Sequence, residues 1–107
     1  MSDHSLDRLF ATIAARKSAD ASTSYTAQLL AAGVEKCAKK FGEEAVEAVI
    51  AGVARDRHAL ANESADVLYH LMVLWAAAGI TPDDVYAVLK SREAQSGLAE
   101  KASRSKA

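Results

Sequence analysis

Apolar side chains recur at helical spacing along most of the chain. Leu6, Leu9, Phe10 and Ile13 repeat every three or four residues, and Arg16 and Lys17 follow where cations suit a helix C-terminus. An amphipathic helix is therefore predicted from Ser5 to about Lys17, and the polar stretch from Ser18 to Ser24 as a loop. A short helix from Tyr25 to Ala32 comes next, with Ser24 as N-cap and Gly33 as the turn. Val34, Cys37, Phe41, Ala45, Ala48 and Gly52 then mark one stripe of a long helix running to about Ala54. Gly42 lies inside that helix at a cost of about 1 kcal/mol relative to alanine, which leads us to expect a packing or close-approach reason for it. Asp56 to His58 is expected to turn the chain into a helix from about Ala59 to Ala78, closed by Gly79. Thr81 as N-cap, Pro82 at the first helical position and two aspartates in the first turn start a last helix that reaches about Gln95. No segment has a strand pattern. The expected fold is all-α, a bundle of about four to five helices in one domain over residues 1–96, with the small, polar residues 97–107 as a flexible tail.

From Ser64 to Ala78 the helix carries Asp66 and His70 and is otherwise apolar on nearly every side. A helix apolar all round must be buried all round, and a chain of 107 residues has little with which to cover it, so a homodimer is expected, with Leu71, Leu74 and Trp75 contributing to its interface. The longest apolar run is about half of the roughly 20 residues that span a bilayer, and no signal-peptide core is present near Met1, so a soluble cytoplasmic protein with no membrane partner is expected. Thirteen Lys plus Arg against fourteen Asp plus Glu leave a net charge of −1, which disfavours nucleic acid as a partner. A single cysteine, Cys37, excludes an intramolecular disulfide and fits a reducing compartment and a core position.

The chemistry lies in the carboxylates. Glu44 and Glu47 are three residues apart on one face of the long helix, Glu43 forms an i, i+4 pair with Glu47, and the next helix repeats the device with Glu63 and Asp66. Like charges at these spacings are destabilising, and Lys36, Lys39 and Lys40, one turn upstream, can offset only the first pair. If the two helices pack antiparallel, Glu44, Glu47, Glu63 and Asp66 converge between them into an all-oxygen cluster of the kind Mg²⁺ prefers. A di-iron carboxylate bundle would require ExxH motifs, and here Asp66 stands where the histidine should be, with His70 in the wrong register. A helical dimerisation module without chemistry remains the other alternative.

SYTAQLLAAG at Ser24 to Gly33, KKFGEEAVEAVIA at Lys39 to Ala51 and ESADVLYHLMVL at Glu63 to Leu74 resemble the phosphoribosyl-ATP pyrophosphohydrolases of the all-α nucleoside triphosphate pyrophosphohydrolase superfamily. The similarity extends from about Leu6 to Arg104, with small departures at Phe41 and Val67. The resemblance implies an enzyme that splits 1-(5-phosphoribosyl)-ATP into 1-(5-phosphoribosyl)-AMP and pyrophosphate with Mg²⁺, the second step of histidine biosynthesis, in a stand-alone form. Hydrolysis of another nucleoside triphosphate is the alternative within the superfamily. The resemblance makes Glu44, Glu47, Glu63 and Asp66 metal ligands; Glu44 or Glu47, which lie beside the basic turn where phosphate would arrive, is expected to accept the water's proton. It places Lys40 on substrate phosphate, with Glu43 as a further acidic residue and Ser24, Tyr25, Thr26 and Arg92 as substrate-contact candidates. Ordinary roles serve several of these equally well: an N-cap for Ser24, an early helical position for Thr26, a surface arginine for Arg92. His70 is a candidate partner of Asp66 at i, i+4, or a core histidine.

Overall fold

The computed structural model describes residues 4–93, and the expected tail and the end of the last predicted helix lie outside them. Among the described residues five α-helices follow one another, α1 (Ser5–Ala15), α2 (Tyr25–Ala32), α3 (Val34–Val53), α4 (Arg57–Ala78) and α5 (Pro82–Arg92), with one 3-10 turn at Arg16–Ser18. No strand occurs among the described residues, and the protein is all-α.

The caps explain most of the boundaries. His4 Nδ1 accepts from the Leu6 amide, Ser24 Oγ from Ala27, and Asp56 Oδ1 from Ala59, each satisfying an orphan donor at a helix start. Capping by Asp56 also accounts for α4 beginning at Arg57, two residues earlier than its apolar pattern suggests. At α5, Thr81 and Asp84 form a reciprocal capping box around Pro82. Two helices end in Schellman motifs. Gly79 takes the left-handed conformation (φ 77°) after α4, and Ile80 N donates to Trp75 O. After α3 the same role falls to Arg55 (φ 58°), with its own amide donating to Gly52 O and the Asp56 amide to Ala51 O.

The α3–α4 hairpin closed by this turn is the backbone of the molecule, and α1 and α2 pack against it. Ile13 of α1, Leu29 of α2, Cys37 of α3 and Met72, Val73 and Ala76 of α4 form one buried cluster. The Cys37 thiol donates to Leu29 O at 3.2 Å and burial pushes its pKa up, so it is a core residue. On α3 only Cys37 and Ala51 are buried; Val34 and Gly52, expected on the inner stripe, are exposed. The space around Gly42 is open, so within one chain the expected close approach is absent. Leu74 and Trp75 are partly buried against the core. Val46, Val49, Ile50 and Val53, each more than half exposed at i, i+3, i+4 and i+7, form an uncovered apolar stripe along α3, and Leu89 of α5 is exposed as well. Helix α5 stands largely apart, bent 110° from α4 and tied to α1 by a hydrogen bond from the Tyr86 hydroxyl to Asp7. The radius of gyration, 15.8 Å, exceeds the roughly 13 Å of a compact chain of 100 residues. No single helix among the described residues is long and apolar enough to cross a membrane.

Met72 is 1% exposed at the centre of the buried cluster. Met72→Ala is expected to lower the unfolding free energy by about 2–5 kcal/mol through lost transfer energy and a residual cavity, read as a fall in urea midpoint at constant m-value.

Candidate active site

The turn at Arg55 sets the register of the hairpin. Glu44 and Asp66 are each eleven residues from Arg55, and Glu47 and Glu63 each eight, so in an antiparallel pair the four carboxylates fall at two adjoining levels on the facing helices. Glu44, Glu63 and Asp66 each offer an oxygen within 4.8 Å of the others'. Glu47 is not a member of that tight group, but its charge acts on Glu63. Partial burial raises the pKa of Glu63 above the usual carboxylate range, and the charges of Asp66, Glu47 and Glu44 raise it further. Three oxygens at this separation, none of them in an ion pair among the described residues, suit a hard divalent cation. The group contains no nitrogen or sulfur donor, which speaks against the di-iron ExxH pattern.

Basic and aromatic groups border the carboxylates. Lys40 Nζ lies 3.1 Å from Glu43 Oε1. The hydrogen bond between them raises the lysine's pKa and lowers the glutamate's. Tyr25, half exposed at the start of α2, lies edge-on to His70 with ring centroids 6.1 Å apart, and Tyr69 contacts the same imidazole at 4.9 Å. His70 is 7% exposed, burial lowers its pKa, and its Nδ1 has no hydrogen-bond partner. It is thus a buried neighbour of the site, in the core position expected as one of its two readings. Thr26 shares a hydrogen bond with the Tyr69 hydroxyl, which ties α2 to α4 beside the site. Tyr69 was not among the expected residues; its position three after Asp66 is the signal that placed it on the site's side of α4. Ser24 caps α2. A cleft of about 360 Å³ between α2 and α3 is lined by Tyr25, Gln28, Leu29, Ala32, Lys36 and Lys40. Arg92 lines a different cleft on α5, with Ile80, Val85 and Val88, and is not grouped with the carboxylates.

The crowding has a sign that can be measured. The folded-state pKa of Glu63 is raised, so its protonated form favours folding, and that contribution is lost as pH rises through the raised value. Metal-free Glu63→Gln is therefore expected to melt above metal-free wild type at neutral pH, with the difference shrinking as pH falls below the ordinary carboxylate range. An equal or lower melting temperature at neutral pH would show that Glu63 is not under electrostatic stress.

Comparison with known proteins agrees with the geometry. The family model for phosphoribosyl-ATP pyrophosphohydrolase matches residues 6–93. A phosphoribosyl-ATP pyrophosphatase of Parvibaculum lavamentivorans is 63% identical over 99 residues, covering 92% of this chain and 91% of the relative. The proteins of the same name from Cereibacter sphaeroides strain ATCC 17029 and from Azospirillum brasilense are 62% and 60% identical over 99 residues, covering 92% of this chain and 96% and 89% of their own lengths. The chain belongs to the phosphoribosyl-ATP pyrophosphohydrolase family, hydrolases of acid anhydrides.

Proposed function

We propose that the protein hydrolyses 1-(5-phosphoribosyl)-ATP to 1-(5-phosphoribosyl)-AMP and pyrophosphate, using Mg²⁺, in the second step of histidine biosynthesis in the cytoplasm. The observation that carries this reading is the convergence of Glu44, Glu63 and Asp66 from two helices, beside a lysine-bearing turn, in a chain of this family. Glu44, Glu63 and Asp66 would hold the ion, with phosphate oxygens and water filling the positions that three carboxylates leave. Bound there, the ion would neutralise phosphate charge and acidify water. Glu47, charged and adjacent but outside the tight group, is the carboxylate left to accept the water's proton at one of its Oε atoms. Lys40, one turn before Glu44, would meet the arriving phosphate by giving up its ion pair with Glu43.

These roles separate in experiment. Product analysis with phosphoribosyl-ATP is expected to give phosphoribosyl-AMP and pyrophosphate only when Mg²⁺ is present. Asp66→Asn should lose both turnover and the Mg²⁺-induced rise in melting temperature, whereas Glu47→Gln should keep that rise and lose about 10²–10³ in kcat. Full turnover by either variant would remove that residue from its role.

We also propose a homodimer built on α3. The Val46, Val49, Ile50 and Val53 stripe is uncharged, so a two-fold axis can bring it against its own copy without like-charge repulsion. Gly42, four residues before Val46 and with open space around it, sits where a partner helix can approach closely. The extended shape and the nearly free α5 support the same reading. Wild type is expected to sediment at twice the chain mass at micromolar concentration, and Ile50→Glu to sediment as a monomer or to unfold. A fully active wild-type monomer would overturn this.

A further inference from the structure

The α2–α3 cleft contains more than the metal reading uses. Its walls are the ring of Tyr25 and the apolar Leu29 and Ala32, and its charged groups are Lys36 and Lys40, one turn apart on α3. Lys40 is committed to the carboxylate end, where Glu43 pairs with it and the charge of Glu44 is felt. Lys36 makes no ion pair among the described residues. It lies in the first turn of α3, where the helix macrodipole adds to its positive potential, and eight residues from Glu44, about 12 Å along the axis. A pocket meant for a polyphosphate would be lined with donors throughout. With Lys40 paired to Glu43, the aromatic wall, the two aliphatic residues, the Gln28 amide and the cation of Lys36 fit a sugar that ends in one phosphate monoester.

Resting on the proposed reaction, we infer that this cleft binds the 5′-phosphate of the substrate's second ribose, with Lys36 as the residue that recognises it. The substrate then has its triphosphate at the carboxylates and its far phosphate at Lys36, with Tyr25 and Leu29 against the sugar between. Lys36 is by this account a specificity-determining residue: a nucleoside triphosphate without the second phosphorylated ribose has nothing to offer it.

Ribose 5-phosphate is the probe for the site by itself. It is expected to raise the melting temperature of Mg²⁺-loaded wild type and to have no such effect on Lys36→Ala, while the Mg²⁺-induced rise stays the same in both. In steady-state assays with phosphoribosyl-ATP, Lys36→Ala is expected to raise KM about tenfold, with the loss falling on KM and not on kcat, and Lys36→Arg to restore most of it. Equal protection of wild type and Lys36→Ala by ribose 5-phosphate, or an unchanged KM, would overturn the inference. So would a loss confined to kcat with weakened inhibition by pyrophosphate, which would assign Lys36 to the leaving group. If wild type fails to hydrolyse phosphoribosyl-ATP, the reaction is wrong, and the ribose 5-phosphate measurement still decides the cleft.

Discussion

Holding Glu44, Glu63 and Asp66 within 4.8 Å of one another works against Coulomb repulsion, and the architecture is arranged to hold them there. Each level of carboxylate draws on both helices, so their approach depends on a rigid hairpin, and the hairpin depends on its turn. Arg55 takes the left-handed conformation that a glycine would adopt with less strain, and Asp56 immediately caps the helix that follows. One residue more or fewer at this point would rotate α4 by about 100° relative to α3 and carry Glu63 and Asp66 away from Glu44. Behind the site, Met72 and Val73 lock α4 into the core, and the Thr26–Tyr69 hydrogen bond fixes α2 beside it. The repulsion is thus borne by packing further along the same helices, where Cys37, seven residues before Glu44, and Val73, seven after Asp66, are buried.

Much of this was legible because the relevant signals are local. Ser24, Thr81, Pro82 and Gly79 mark helix ends by chemistry that operates within four residues, and the structure uses each as its residue type suggests. The ExxE and ExxD spacings put each pair on one helix face for the same reason, leaving only the antiparallel packing to bring the pairs together. What stayed hidden is non-local. The inner stripe of α3 could not be separated from its outer one, because that helix is apolar on both: Val34 and Gly52 face out, and Val46, Val49, Ile50 and Val53 form a second face of comparable size. Periodicity reports that a face is apolar, not what covers it. Tyr69 was missed because its spacing of three from Asp66 gives its side of α4 but not its use, and a tyrosine there reads equally as packing; the hydrogen bond of its hydroxyl to Thr26, 43 residues away, gives it a role.

The charge order along α3 is the reverse of what the helix alone would select. Cations are favoured near a helix C-terminus and anions near its N-terminus, yet Lys36, Lys39 and Lys40 occupy the first two turns and Glu43, Glu44 and Glu47 the turns after them. Glu35 in the first turn obeys the dipole and runs acid-first to Lys39, but the pairs that reach the carboxylates, Lys39 with Glu43 and Lys40 with Glu44, run lysine-first, the weaker orientation. Helix stability therefore does not explain this arrangement, and neither does solubility, which would be served by interspersed charges. The proposed ligand, with two needs, would account for it. Polyphosphate bound through a cation requires carboxylates, and phosphate bound directly requires ammonium groups, so a helix that lies along such a ligand must present both kinds in sequence. The local rules are broken over Lys36 to Glu47, the stretch of α3 that faces the cleft at one end and the carboxylate cluster at the other.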